Sequence, residues 1–137
     1  EIKIINAFSD AIDIDFSNIS IKSLIVNKAG NDCFDVSSGH YEIGRAKLHL
    51  CNDKGISVGE ASFLNVEQVD LLSANIGISS KDYSRVDIST AEIMNVNICI
   101  EAKQKKQEFG GAVLQMGNLN CDGVIEVDKN SEFKGVL

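Results

Sequence analysis

A chain of 137 residues has the length of one domain, enough for a single core and too short for two independent ones. Its 13 Lys and Arg stand against 20 Asp and Glu, a formal charge of −7. It therefore lacks the basic footprint that neutralises phosphates or anionic lipid, so neither a nucleic acid nor a membrane is an expected partner. No apolar run approaches the roughly 18 residues of a membrane span, and Glu1-Ile2-Lys3-Ile4-Ile5 has no signal-peptide pattern.

Pro and Trp are both absent and Ile and Val abundant, which suits a sheet whose strands all need their N–H donors. Ile2 and Ile4 open a strand that enters in mid-coil, so the ends are expected to be covered by flanking sequence, a packed tail or end-to-end association of chains. Next, Ala11-Ile12-Asp13-Ile14 returns as Cys33-Phe34-Asp35-Val36, Gly55-Ile56-Ser57-Val58, Gly77-Ile78-Ser79-Ser80 and Cys99-Ile100-Glu101-Ala102, a period of about 22 residues. Such a period marks a solenoid, in which each repeat buries its apolar face only against its neighbours.

Aligned at that period, the apolar residues fall into columns. Ile12, Phe34, Ile56, Ile78 and Ile100 form one, and Ile14, Val36 and Val58 a second that tapers into Ser80 and Ala102. Ile21 and Ile43 lead to Val66 and Ile88 after a one-residue slip near Ser62-Phe63, read as a bulge or a longer turn. Ile4, Val26, Leu48, Leu71 and Ile93 run beside Ile2, Leu24, Ala46, Val69 and Ala91. Because side chains alternate along a strand, Asp13, Asp15 and Asp35 point outward while their apolar neighbours fill the interior. Six coils about 4.8 Å apart make a rod on the order of 29 Å long.

Ala11, Cys33, Gly55, Gly77, Cys99 and, past a later insertion, Cys121 form a column of small residues, the mark of a tight bend. With no CxxC spacing and only His40 and His49 beside them, the four Cys make a poor zinc inventory and are expected as small inward apolar residues. A Cys99–Cys121 disulfide between adjacent coils is the alternative, against which stands the geometry of stacked parallel neighbours. Asn27, Gly30-Asn31, Asn52, Gly55, Asn75, Gly77 and Asn97 are read as turn residues where the backbone takes positive φ. Lys103 to Gly111 breaks the register as a protruding loop that Phe109 anchors to the rod.

On these repeats, and on Asp10-Ala11-Ile12-Asp13-Ile14-Asp15-Phe16, Gly30-Asn31-Asp32-Cys33-Phe34-Asp35-Val36-Ser37 and Asp53-Lys54-Gly55-Ile56-Ser57-Val58-Gly59-Glu60 in particular, nearly the whole chain resembles the right-handed parallel β-helix of the pectin-lyase-like superfamily. More narrowly, it is similar to uncharacterised bacterial β-helix proteins sometimes linked to CotH-like domains. The resemblance implies an all-β fold: one single-stranded right-handed parallel β-helix over residues 1–137, about six coils of about 22 residues. It transfers no activity. Galacturonan hydrolases of that fold use an Asn-x-Asp, an Asp-Asp, a Gly-His-Gly and an Arg-x-Lys. Here Asn31-Asp32 lacks the spacing, Gly39-His40-Tyr41 lacks the second Gly, no Asp-Asp occurs, and Arg45 and Arg85 are the only arginines. No calcium-and-base set of a pectate lyase is assembled either, so no catalytic residue, metal or cofactor is expected.

The strongest outward constellation is the ladder Asp13, Asp35, Ser57, Ser79, Glu101 beside Asp15, Ser37, Gly59, Lys81, Lys103, with Glu60 stacked on Asp82. Asp13, Asp35, Glu60, Lys81, Asp82 and Lys103 are the ligand-binding candidates, as a groove for a charged saccharide. A Ca²⁺ shared by Asp13 and Asp35 is a weaker alternative, and a solvated surface of offsetting charges the plainest reading. His40 and His49 have no acid or nucleophile placed to make a triad and read as surface residues. Lys103, Lys105 and Lys106 read as an anion-holding set or as a solvated loop. The expected function is a non-catalytic structural or recognition module of a bacterial surface or secreted protein, with a polysaccharide as its ligand. The competing expectations are a lyase or glycoside hydrolase acting through the outward strip, and a rod that assembles end to end or carries flanking domains.

Overall fold

Alternating aliphatic residues that recur every 22 positions can all be buried at once only if each turn of chain lies on the one before it, in register. The computed structural model describes residues 1–135 and is built that way; the last two residues of the expected domain lie outside the described residues. Its ten strands are β1 (Ile2–Ala7), β2 (Ile12–Asp15), β3 (Asn18–Ala29), β4 (Phe34–Ser37), β5 (His40–Val58), β6 (Phe63–Lys81), β7 (Arg85–Lys103), β8 (Val113–Cys121), β9 (Val124–Val127) and β10 (Glu132–Lys134). Among the described residues every strand pairing is parallel and there is no helix. The fold is a parallel β-solenoid of about six turns.

The expected columns are ladders of paired residues. Ile12 pairs with Phe34, Phe34 with Ile56, Ile56 with Ile78, Ile78 with Ile100 and Ile100 with Ile125. A column not read from the sequence, Ile19, Tyr41, Leu64, Val86, Leu114 and Phe133, completes the interior. The Tyr41 hydroxyl is satisfied there by donating to the Ser37 carbonyl at 2.8 Å. The slip near Ser62 is present: His40 pairs with Phe63, one position later than the spacing of Phe34 and Ile56. It is cancelled by an irregularity between Cys51 and Lys54, after which Lys54 pairs with Ile76.

The corners differ from the expectation that Gly and Asn supply positive φ. Two columns take it: Asn6, Lys28, Leu50, Ser73, Asn95 at one corner, and Phe16, Ser38, Ala61, Tyr83 at another, with Asp82 beside the last. No described glycine does. Gly55 and Gly77 are small for a different reason. A Cβ on Gly55 would run into the Leu71 side chain and lie 2.7 Å from the Gly77 carbonyl oxygen, and one on Gly77 would lie 2.6 Å from the Cys99 carbonyl oxygen. The small column is thus set by close approach of stacked backbones, as its residue types implied.

The cysteines also correct the reading. Cys51 lies in the column of Ala29 and Ala74, and Cys121 pairs with Ile93 instead of continuing the column of Cys99. From those positions they bridge back across a corner as two disulfides, Cys33–Cys51 and Cys99–Cys121, with Cα separations of 5.3 and 6.2 Å. Both separations fall in the normal range for a disulfide, because partners in different columns escape the stacked geometry that argued against a bridge.

Candidate functional site

The outward strip is formed by one face of successive coils. Asp13 pairs with Asp35, Asp35 with Ser57, Ser57 with Ser79, Ser79 with Glu101 and Glu101 with Glu126, while Lys81 pairs with Lys103 on the flanking ladder. The register is the one read from the sequence, but the middle of the strip is not a solvated surface, while Asp13 and Glu126 at its ends are exposed. Ser57, Ser79 and Glu101 are 1%, 0% and 6% exposed. Lysines lie back across them: Lys81 Nζ donates to Ser57 Oγ at 2.9 Å, Lys103 forms an ion pair with Glu101, and Ser79 Oγ donates to Glu101 Oε2 at 3.1 Å.

Four of the six ligand candidates, Asp35, Glu60, Lys81 and Asp82, line one cavity of about 240 Å³, with Lys105 and Lys106 contributed by the loop after β7. The other two lie outside it. Asp13 sits at the start of the ladder, and Lys103 is engaged by Glu101. Within the cavity Glu60, Lys81, Asp82 and Lys106 already have partners, while the side chains of Asp35 and Lys105 have none among the described residues. Asp82, 2% exposed, accepts the backbone N–H groups of Lys105 at 2.7 Å and Lys106 at 2.9 Å, which ties the loop to the rod. Glu60 holds Lys106 in an ion pair. Phe109 meets Tyr83 edge to face, ring centroids 6.0 Å apart, and so anchors the loop's far end as expected.

Burial governs the electrostatics. It is the largest influence on Asp35 and, with Asp32 nearby and Asp10 beyond, pushes its carboxyl up to about 6 against the opposing pull of the Ser57 hydroxyl and Lys81. Burial and Lys54 in turn lower the Lys81 ammonium from its ordinary value. Burial, Asp10 and Asp15 raise Asp13. Asp10, Asp13 and Asp35 bring one carboxylate oxygen each to within 4.8 Å of one another, the hard-oxygen chemistry that suits Ca²⁺. Asp10 has a structural task as well: its Oδ1 accepts Asn31 Nδ2 at 2.8 Å and the Asp32 N–H at 2.9 Å.

Chemically, Ser57 and Lys81 have the atoms of a nucleophile and a base at hydrogen-bond distance, but a hydroxyl 1% exposed meets no substrate unless Lys81 swings away. His40 stacks on Phe63, its ring centroid 4.7 Å away, and lies 3.9 Å from Glu42 at the surface.

A larger recess, about 630 Å³, went unread in the sequence. It follows the positive-φ corner of Lys28, Leu50, Ser73 and Asn95, over a floor that includes Ala29, Cys51, Ala74 and Val96. Amide and hydroxyl ladders wall it: Asn97 Nδ2 donates to Asn75 Oδ1 at 2.9 Å, Asn75 Nδ2 to Asp53 Oδ1 at 3.4 Å, and Asn95 Nδ2 to Ser73 Oγ at 2.8 Å. The signal was the 22-residue spacing of Asn75 and Asn97, which reads as a ladder as well as a turn.

Compared with known proteins, the chain matches no family model, no curated protein and no solved structure.

Proposed function

We propose that this chain is a non-catalytic structural and recognition module, a β-solenoid of the pectin-lyase-like kind, that holds a polysaccharide along its side and belongs to a surface or secreted protein. One observation carries the non-catalytic part. Apart from Asp13 and Asp35, the polar groups of the strip are engaged within the fold: Glu101 by Lys103 and Ser79, Ser57 by Lys81, Glu60 by Lys106, and Asp82 by two backbone N–H groups. A catalytic acid or base needs a free face toward substrate, and these groups face one another.

For the ligand, the amide-walled recess is the better placed of the two concave regions. An Asn in a ladder gives its neighbour one N–H and accepts at one lone pair, so Asn75 and Asn97 each keep a second N–H and further acceptor capacity for hydroxyls. Two disulfides support an oxidising compartment, which fits a secreted or surface location.

The test is binding of the intact chain to a glycan array, followed by turnover assays on acidic polysaccharides. The recognition reading expects a hit that Asn75→Ala with Asn97→Ala weakens at least fivefold while Lys81→Ala leaves it intact, and no turnover. Turnover by the wild-type chain that Lys81→Ala or Lys103→Ala abolishes would replace it with the lyase or hydrolase reading.

A further inference from the structure

Beside the recess, on the outer face of the same coils, two outward ladders run parallel to the rod axis. One is mostly apolar, His49 paired with Leu72 and Leu72 with Met94; the other is charged, Lys47 paired with Asp70 and Asp70 with Glu92. They enclose a mostly apolar groove of about 380 Å³. Leu72, at its centre, is 48% exposed. Contiguous apolar patches on a soluble surface mark contacts with another molecule, and the charges around this one restrict what that molecule is.

Lys47 and Glu92 lie on the two rungs flanking that of Asp70 and Leu72. Among the described residues neither takes part in an ion pair, whereas Asp70, between them, is neutralised by Arg45 Nη2 at 2.9 Å. The face therefore carries a free cation one rung to one side of Leu72 and a free anion one rung to the other. A two-fold axis along the strand direction through Leu72 reverses the rod axis and exchanges those two rungs. Laid against itself that way, the face sets Leu72 on Leu72, His49 on Met94, each Lys47 on Glu92 of the partner subunit, and Asp70, already neutralised by Arg45, on Asp70 of the partner subunit. Such an isologous contact pairs the unneutralised charges of the face with their opposites.

We infer that this face is a docking surface for a second copy of the chain, forming a closed antiparallel two-fold dimer of rods side by side. The charge arrangement excludes the parallel alternative, in which a two-fold along the rod axis keeps every residue on its own rung and leaves Lys47 without a carboxylate of the partner opposite. It also separates this contact from end-to-end stacking, which repeats one head-to-tail interface and grows without limit, while a two-fold contact stops at two.

The experiment is sedimentation equilibrium of the intact chain from about 5 to 500 μM, with four variants. The wild-type chain is expected to reach the mass of a dimer and no higher. Lys47→Glu and Glu92→Lys each turn both interfacial pairs repulsive and should raise the dissociation constant at least tenfold, about 1.4 kcal/mol. The doubly reversed variant restores opposite charges and should return it to within about threefold of wild type. Leu72→Asp should abolish the dimer, with far-UV circular dichroism checking its fold; should it misfold, the three charge variants decide alone. A monomer throughout the range, mass growing beyond the dimer, single reversals that bind like wild type, or a double reversal that fails to rescue would each overturn the inference.

Discussion

Replacing Asp35 with Asn should make the rod more stable at neutral pH. In the folded chain, burial above all, with Asp32, lifts the Asp35 carboxyl to about 6, against 3.8 for a free side chain. A folded state that holds its proton more tightly than the unfolded chain is favoured in acid. Stability is then present below about pH 4, falls as the pH rises through the window from about 4 to 6, and is flat above it. A shift from 3.8 to about 6 corresponds to about 3 kcal/mol at roughly 1.4 kcal/mol per pH unit. Asp35 is only partly buried, so solvent screening reduces this to about 1–1.5 kcal/mol. Asn removes the ionisation and keeps the size. With a urea m-value of about 2 kcal/mol/M the unfolding midpoint at pH 7.5 should rise by roughly 0.5–0.8 M, and at pH 4 by much less. Unfolding is followed by far-UV circular dichroism, since the chain has no Trp, with a chelator present so that no cation at Asp10, Asp13 and Asp35 masks the charge effect. The difference between the two chains isolates Asp35 from Asp13 and Asp32, which are also raised. An Asp35→Asn midpoint at pH 7.5 equal to or below wild type would refute the account of a carboxylate held at a cost.

Three further substitutions probe the winding itself. Gly77→Ala forces a methyl to within 2.6 Å of the Cys99 carbonyl oxygen, a backbone atom of the next coil that cannot step aside, and should cost about 2–3 kcal/mol; an unchanged thermal midpoint would show that the coils have room there. Removing the Cys33–Cys51 bridge by replacing both residues with Ala releases a loop of separation 18 and should cost about 3 kcal/mol in urea titration, with the reduced wild-type chain, which loses Cys99–Cys121 as well, less stable still. Leu50→Asn keeps the corner at φ 59° but supplies a residue that tolerates it, as Asn6 and Asn95 do on other coils, so calorimetry should find a gain of about 0.5–1 kcal/mol; a loss would mean that the exposed Leu50 side chain contributes more by contact than its backbone costs.

The columns were legible because a 22-residue period acts on every coil at once: Ile12, Phe34, Ile56, Ile78 and Ile100 could only be buried together by stacking, and they are. The corners were not, because residue type predicts positive φ only where torsion is a local choice. In Lys28 and Leu50 it is imposed by the coils above and below, which hold the strands on either side of the bend. Cys99–Cys121 was open to reading as a bridge between adjacent coils, but Cys33–Cys51 stayed hidden for a related reason: the eye follows columns, and Cys33 and Cys51 belong to different ones that meet only where the chain turns. In the strip the register was readable and the burial was not. Spacing places Lys81 beside Ser79, but whether its four-carbon stem reaches into water or back over Ser57 is a side-chain choice that no periodicity encodes.

Polar residues on such a rod have two competing uses, and the hydrogen bonds show how they divide. Asp32 accepts the Lys54 N–H, Asp82 the Lys105 and Lys106 N–H groups, Asp122 those of Asn95 and Val96, and Asp128 that of Gln104, each bond joining one coil to the next. A solenoid has no distant contacts to fall back on, so its stability is a sum over adjacent coils and every such staple acts where separation would begin. Carboxylates at the turns are thereby drawn into holding the winding together, and a site built on them would loosen the rod wherever a ligand displaced a staple. Recognition is freer on the flat faces and in the amide-lined recess, where ladders of Asn and Ser keep hydrogen-bonding capacity after the coils are joined. That division leaves the hydrogen-bonding capacity still open to another molecule on the sides of the rod, away from the acids that first draw attention.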